Sequence, residues 1–266
     1  MKRKATERDW LPLARTGRSA EEPPTGEAFR SDWIDFDRGI RVGNLQPHER
    51  ITRILKHGLE SRYGTDFVTD RWGRGVYWQW ICWLPRTNRA AKPISSDANF
   101  GCAKLFISVL RERRIFQCGL QIERGFISGR PALSGILLRE DWDWHRLMKG
   151  CAKGTRLDAE LRRLLLREGF SARIEGEGAE AEFAAGSFSS ARQIREAARR
   201  CGPEGWAGFQ LYYPMPESEV RGSSGYELVR GIFGVLAEVI EAMNICMQIR
   251  LAPSGLRTGR GNVQLP

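Results

Sequence analysis

Apolar positions along the chain change their period several times. Residues 47–63 keep helical spacing through Ile51, Ile54, Leu55, Leu59 and Tyr63, with Gly64 placed to end the helix. From Phe67 the pattern turns to that of a sheet. Phe67–Asp70 opens it, and Val76–Trp83 alternates strictly: Val76, Trp78 and Trp80 on one face; Tyr77, Gln79, Ile81 and Trp83 on the other. Both faces are apolar or aromatic, so the strand is either covered on both sides or presents one face as a binding surface. Gly73-Arg74-Gly75 ahead of it permits a tight turn. Two more strands follow, Phe100–Leu110 and Ile115–Gly125, joined as a hairpin by the charged turn Arg111–Arg114. In the second of these, Phe116, Cys118, Leu120 and Ile122 face the core, while Gln117, Gln121 and Glu123 face outward with Gly119 among them.

Beyond the hairpin, helical spacing is predicted over Leu137–Met148 and Thr155–Glu168, the latter with the stripe Leu157, Leu161, Leu164, Leu165. Phe170–Ile174 and Ala181–Phe183 read as a small hairpin, and Ser189–Arg200 as a helix. Trp206–Tyr213 reads as a strand ended by Pro214 and Pro216. Gly225–Ile249 reads as a long amphipathic helix burying Leu228, Ile232, Val235, Leu236, Val239 and Met243. This order predicts an α+β fold, an antiparallel or mixed sheet with helices packed on it. Residues 1–30 are expected to be a flexible arm and 251–266 a flexible basic tail, both disordered. Residues 31–250 are expected to form a single domain with a point of subdivision near 130–140.

Composition adds a bias toward polyanions. The 266 residues carry a formal charge of +10, with a pI near 9.7, which suits nucleic acid, anionic lipid or an acidic protein unless the charge is simply spread over solvated faces. The six cysteines form no paired motif, and with three histidines they support no metal site; no cofactor is expected. Cys151, between Lys149 and Lys153, is the cysteine in a basic loop, where its thiol is expected to be reactive without being catalytic. No stretch is apolar enough for a membrane span, because Glu238, Glu241, Asn244 and Gln248 interrupt Ile232–Ile249. A reducing cytoplasm is the expected compartment.

The charge is concentrated. Residues 71–130 hold eleven Lys or Arg against three acids and four of the nine tryptophans. Arg71, Arg74, Arg86, Arg89, Lys92, Arg111, Arg113 and Arg114 are candidates for phosphate contacts, with bases stacked on the aromatic strand. Gln117 and Gln121 could read base edges or simply fill a solvated face. A nucleic-acid-binding protein is the favoured expectation. One alternative is an enzyme using Asp141 and His145, four apart in a helix, as an orienting acid and a base. Another is an interaction subunit that docks a protein partner through the 226–249 helix.

The same stretch resembles the N-terminal DNA-binding domain of McrB-type modification-dependent restriction proteins. The likeness rests on Gly73-Arg-Gly75, Trp80-Ile81, Lys104-Leu-Phe-Ile107 and Leu120-Gln-Ile-Glu-Arg-Gly125, and covers about residues 71–125. Gln79 stands where the family has proline. That domain flips a modified base into a pocket, so the resemblance implies DNA as the partner, Tyr77, Trp80 and Trp83 as stacking residues, and a role in bacterial defence or DNA processing. No nucleotide-hydrolysing segment follows. The C-terminal half is similar to an uncharacterised bacterial family.

Overall fold

A computed structural model describes residues 26–90, 102–124, 143–176, 178–202 and 206–254, the side chains of Trp72, Arg74, Arg89 and Ala90 excepted. Helix α1 (Ile51–Tyr63) follows a single 3-10 turn over Pro47–Glu49 and ends at Gly64 in the left-handed region. Strands β3 (Phe67–Arg74) and β4 (Tyr77–Pro85) form the aromatic hairpin, and the short α2 (Arg86–Ala90) follows directly. Strands β5 (Ala103–Leu110) and β6 (Ile115–Arg124) pair across the Arg111–Arg114 turn, as the alternation predicted. Helices α3 (Asp143–Gly150) and α4 (Arg156–Arg167) come next. The hydroxyl of Thr155 caps α4 by accepting from the Asp158 amide. Strands β7 (Ser171–Gly176) and β8 (Ala179–Phe183), helix α5 (Ala191–Arg200), strand β9 (Ala207–Pro216), and helices α6 (Glu217–Arg221) and α7 (Gly225–Met243) complete the described chain.

Two short strands near the start, β1 (Ile34–Asp35) and β2 (Gly39–Arg41), carry no legible alternation and were not predicted. All nine strands join one antiparallel sheet in the order β1-β2-β4-β5-β6-β9-β7-β8, with β3 on the other edge of β4. The fold is α+β. Strand β9 runs through Pro214 and Pro216 instead of stopping before them. It pairs with β6 along its whole length but with β7 only as far as Tyr212, so the prolines lie where no second ladder needs an N–H.

One hydrophobic cluster runs from Phe29 to Leu251 and fills the space between one face of the sheet and the helices. Phe116, Cys118, Leu120 and Ile122 point into it, as their period required. Phe29 is only 1% exposed, so the packed chain begins inside the segment expected to be a mobile arm. Residues 1–25 and 255–266 lie outside the described residues. Leu251 is buried, and its backbone is bridged to the Asn244 side chain at both N–H and carbonyl.

Helix α7 is not the one-sided amphipathic surface expected of a docking helix. Every residue from Gly231 to Ile240 is buried, Glu238 included. A helix buried all round is a core element, so its apolar surface is already spent within this chain. Among the described residues, no helix is long and apolar enough to cross a membrane.

Candidate functional site

The two faces of the sheet differ in kind. The helices α1 and α3–α7 place their apolar residues in the main cluster. Among the described residues, the opposite face carries a small apolar group: Cys82, Leu84, Phe106 and Tyr212, with Val68 and Trp80 packed beside it. The rest of that face is polar, and it divides into a bonded lattice and an open groove.

The lattice is a straight row of direct cross-strand partners: Lys104 on β5, Gln121 on β6, Gln210 on β9, Arg173 on β7 and Glu182 on β8. Arg173 donates to Gln210 Oε1 (2.6 Å), Gln210 Nε2 to Gln121 Oε1 (3.0 Å), and Gln121 Nε2 to Glu123 Oε1 (2.6 Å). Lys104 closes the chain on Glu123 and lies 5.2 Å from the centre of the Trp80 ring. A guanidinium can only donate and a carboxylate can only accept, so the two ends fix the orientation of both amides between them. In the adjacent rows the Tyr212 hydroxyl donates to Glu182 (2.8 Å), Arg113 reaches the same carboxylate (2.7 Å), and Gln117 donates to Ser108 (2.8 Å). Burial raises the Glu182 pKa, but the hydrogen bonds from Arg113 and Tyr212 outweigh it, and the net shift is downward. Burial first, and Glu182 second, push the Tyr212 hydroxyl up to about 12. Gln117 and Gln121 are 3% and 6% exposed. They are not an open reading face: both are structural.

The groove lies at the end of the same face, beside the β5–β6 turn. It has a volume of about 840 Å³ and is lined by Asp37, Arg38, Gly73, Val76, Tyr77, Gln79 and Arg111. A bulge creates it. Trp72 on β3 opposes Trp80, but Gly73 opposes Trp78, so Gln79 is an extra residue without a cross-strand partner. The bulge reverses the alternation, which overturns the expectation that Trp78 and Trp80 share a face. Trp78 packs against the main cluster, and Trp80 against the small one. Gly73, at φ +143°, allows the close pairing: a Cβ there would stand 2.7 Å from the Trp78 Cα. Gly39 approaches the same segment from β2, where a Cβ would meet the Trp78 carbonyl oxygen at 2.7 Å.

In the groove the Arg38 guanidinium lies 4.0 Å from the centre of the Tyr77 ring, and Arg111 donates to the Arg38 carbonyl (3.0 Å). Among the described residues neither guanidinium meets a carboxylate. Asp37, the acid in the lining, is engaged by Arg114 (2.7 Å). The Gln79 amide makes no hydrogen bond with any described residue. On the far side of the sheet Arg71 stacks 4.0 Å over Trp78. Arg71 opposes Ile81, which faces the main cluster, so it lies behind the groove.

The predicted residues therefore separate. Tyr77 and Arg111 reach the groove, and Trp80 lies next to it. Trp83 does not: it is fully buried against the helices, and its indole N–H donates to the Thr52 carbonyl (3.2 Å). A ring in that position cannot stack a ligand, a correction to its candidacy. Three of the arginines are matched to acids from elsewhere in the chain: Arg86 to Asp66 (3.4 Å), Arg113 to Glu182, and Arg114 to Asp37 and Glu217. Hydrogen bonds from Arg114 and Arg221 hold the Glu217 carboxyl down to about 2. Arg74 belongs to β3 and Arg89 to α2, but their side chains, and Lys92 altogether, lie outside the described residues.

Asp141 also lies outside them, so its pairing with His145 goes undescribed. His145 is half-buried, and its Nε2 has no hydrogen-bond partner among the described residues. The neighbouring Asp143 is a structural staple, accepting from the backbone amides of Ala103 (2.5 Å) and Gln248. Cys151 is fully buried, and burial holds its thiol above the ordinary range, which overturns the suggestion of a reactive thiol.

Arg38 and Gln79 were missed as site residues. Arg38 lies outside the basic stretch, and nothing in the alternation marks Gln79 as a bulge. The signal available was Gly39 and Gly73, glycines flanking an otherwise bulky strand. Compared with known proteins, the chain matches no family model, no curated protein and no solved structure.

Proposed function

We propose that this protein binds nucleic acid, with the groove between the β3–β4 bulge and the β5–β6 turn as its contact site. The carrying observation is the Arg38–Tyr77 stack beside Arg111, two guanidiniums with no carboxylate partner among the described residues. A guanidinium over a ring face spends none of its N–H donors on the ring, which leaves them for a phosphate. The local resemblance over residues 71–125 supports the same reading and favours DNA.

Fluorescence anisotropy of labelled single- and double-stranded oligonucleotides, titrated in salt, tests it. The affinity is expected to fall linearly on a log–log plot against salt, by about 0.7 per phosphate on single strands and about 0.9 on duplex. Arg38→Ala combined with Arg111→Ala is expected to lower affinity about tenfold or more and to flatten that slope, since it removes about two phosphate contacts. Absence of binding at low salt sinks the proposal.

A further inference from the structure

We infer that the nucleic acid is a single strand and that it crosses the β3–β4 tip, from the groove on one face to a second contact at Arg71 and Trp78 on the other; this rests on the nucleic-acid reading of the groove. The hairpin carries two guanidinium–ring contacts of one kind. Arg38 lies 4.0 Å from the centre of the Tyr77 ring, and Arg71 lies 4.0 Å from that of Trp78. Tyr77 and Trp78 are consecutive on β4, so the two contacts stand on opposite faces of the sheet. Arg86, Arg113 and Arg114 each take up a carboxylate from elsewhere in the chain. Arg71 does not, although Asp70 precedes it: that carboxylate accepts from the Arg71 backbone amide (3.0 Å). Arg41, the cross-strand partner of Tyr77, adds a third guanidinium, whose Nε has no partner among the described residues. Positive charge therefore continues round the tip and is not confined to the groove.

The way round is open. Gly75 turns the hairpin at φ +66°, and a Cβ on it would meet no described atom within 4 Å. Among the described residues, β3 has a strand partner on one side only. In each contact the ring covers one side of the guanidinium. Arg38 and Arg71 are both exposed, which leaves the other side for an unpaired base. A duplex keeps its bases stacked on one another and is stiff over about 150 bp. It offers a base face to neither guanidinium and does not bend round an edge one sheet thick. A single strand does both.

The test is fluorescence anisotropy of the full chain with labelled oligo(dT) and with duplex of the same length. The wild type is expected to prefer the single strand by about tenfold or more, as two base stacks would give. Arg71→Gln keeps a long side chain beside Trp78 but removes the charge. It is expected to weaken oligo(dT) about fivefold or more, the worth of about one base stack. It should also lower the log–log salt slope by about 0.7, with the melting temperature close to wild type. Duplex bound as tightly as oligo(dT) overturns the inference and leaves the groove as the contact. So does wild-type binding of oligo(dT) by Arg71→Gln when Arg38→Ala with Arg111→Ala weakens it. No binding of either strand type at low salt overturns both the inference and the reading it rests on.

Discussion

The lattice and the groove share one face of one sheet and draw on the same residue types: arginine, glutamine, an acid and an aromatic ring. They differ in whether those groups are satisfied. In the lattice each charged group is engaged: Arg173 donates to the Gln210 amide and lies 4.0 Å from Glu175, Lys104 pairs with Glu123, and Arg113 with Glu182. In the groove Arg38, Arg111 and the Gln79 amide have none among the described residues, and Asp37 is engaged by Arg114. Buried polar groups that bond one another fix a structure, whereas unspent groups at the rim of a groove are free to meet a ligand. Residue type alone could not have told the two regions apart; the register did.

The bonded side of the face is most sensitive at Gly119. It sits between Phe106 and Tyr212 in the row beside the lattice, and a Cβ there would lie 2.7 Å from the Tyr212 Cα. That neighbour is backbone and cannot rotate away. Gly119→Ala is expected to destabilise the fold by about 3 kcal/mol, as overpacking of a tight core does, measured by denaturant unfolding. Wild-type stability in this variant would mean that β6 and β9 are not this close.

Cutting the lattice itself should be milder. Gln121→Leu removes the acceptor of Gln210 and the donor to Glu123. Two part-buried groups, Gln210 and Glu123, lose a partner, so a loss of about 1–2 kcal/mol is expected, with nucleic-acid affinity unchanged once folding is corrected for. The Arg38 and Arg111 variants should show the reverse: lower affinity and a melting temperature close to wild type. If Gln121→Leu also weakened binding at equal folded fraction, the division between scaffold and site would be wrong.

Period and spacing made the elements legible. The 47–63 helix, the β5–β6 hairpin with its inward Phe116, Cys118, Leu120 and Ile122, and the α4 stripe were all readable, because burial on one side imposes a period on the sequence. The site was only partly legible. Tyr77 and Arg111 could be picked from the basic, aromatic stretch, but three neighbouring arginines could not be discounted. Their acids, Asp37, Asp66, Glu182 and Glu217, come from outside that stretch, so a local charge count overstates what is free. The alternation puts Trp80 and Trp83 on opposite faces but, with both faces apolar, does not say which is covered; the helices packed on one face make Trp83 core. The bulge was invisible for a related reason. One inserted residue changes no composition, yet it transfers Trp78 to the opposite face and leaves Gln79 in the groove.

The smallest expected effect is at the far end of the lattice, and it carries a pH signature. Tyr212 is 2% exposed, and its hydroxyl donates to Glu182. Tyr212→Phe should lower stability by about 1 kcal/mol at neutral pH, the net worth of one such hydrogen bond. The folded-state pKa of Tyr212 is raised, to about 12 from 10.0, so its contribution is complete below pH 10.0. It is lost as the pH rises toward 12, where the unfolded chain has already released the proton. On the acid side Glu182 has a depressed pKa. The stability it gives to the bond with Arg113 and Tyr212 is present above the ordinary carboxylate range and is lost as the pH falls through its own lower value. The difference in stability between wild type and Tyr212→Phe should therefore be a plateau across the neutral range that falls away on both sides. A difference that stayed flat through pH 10–12 would mean that the Tyr212 hydroxyl is not held protonated in the folded lattice.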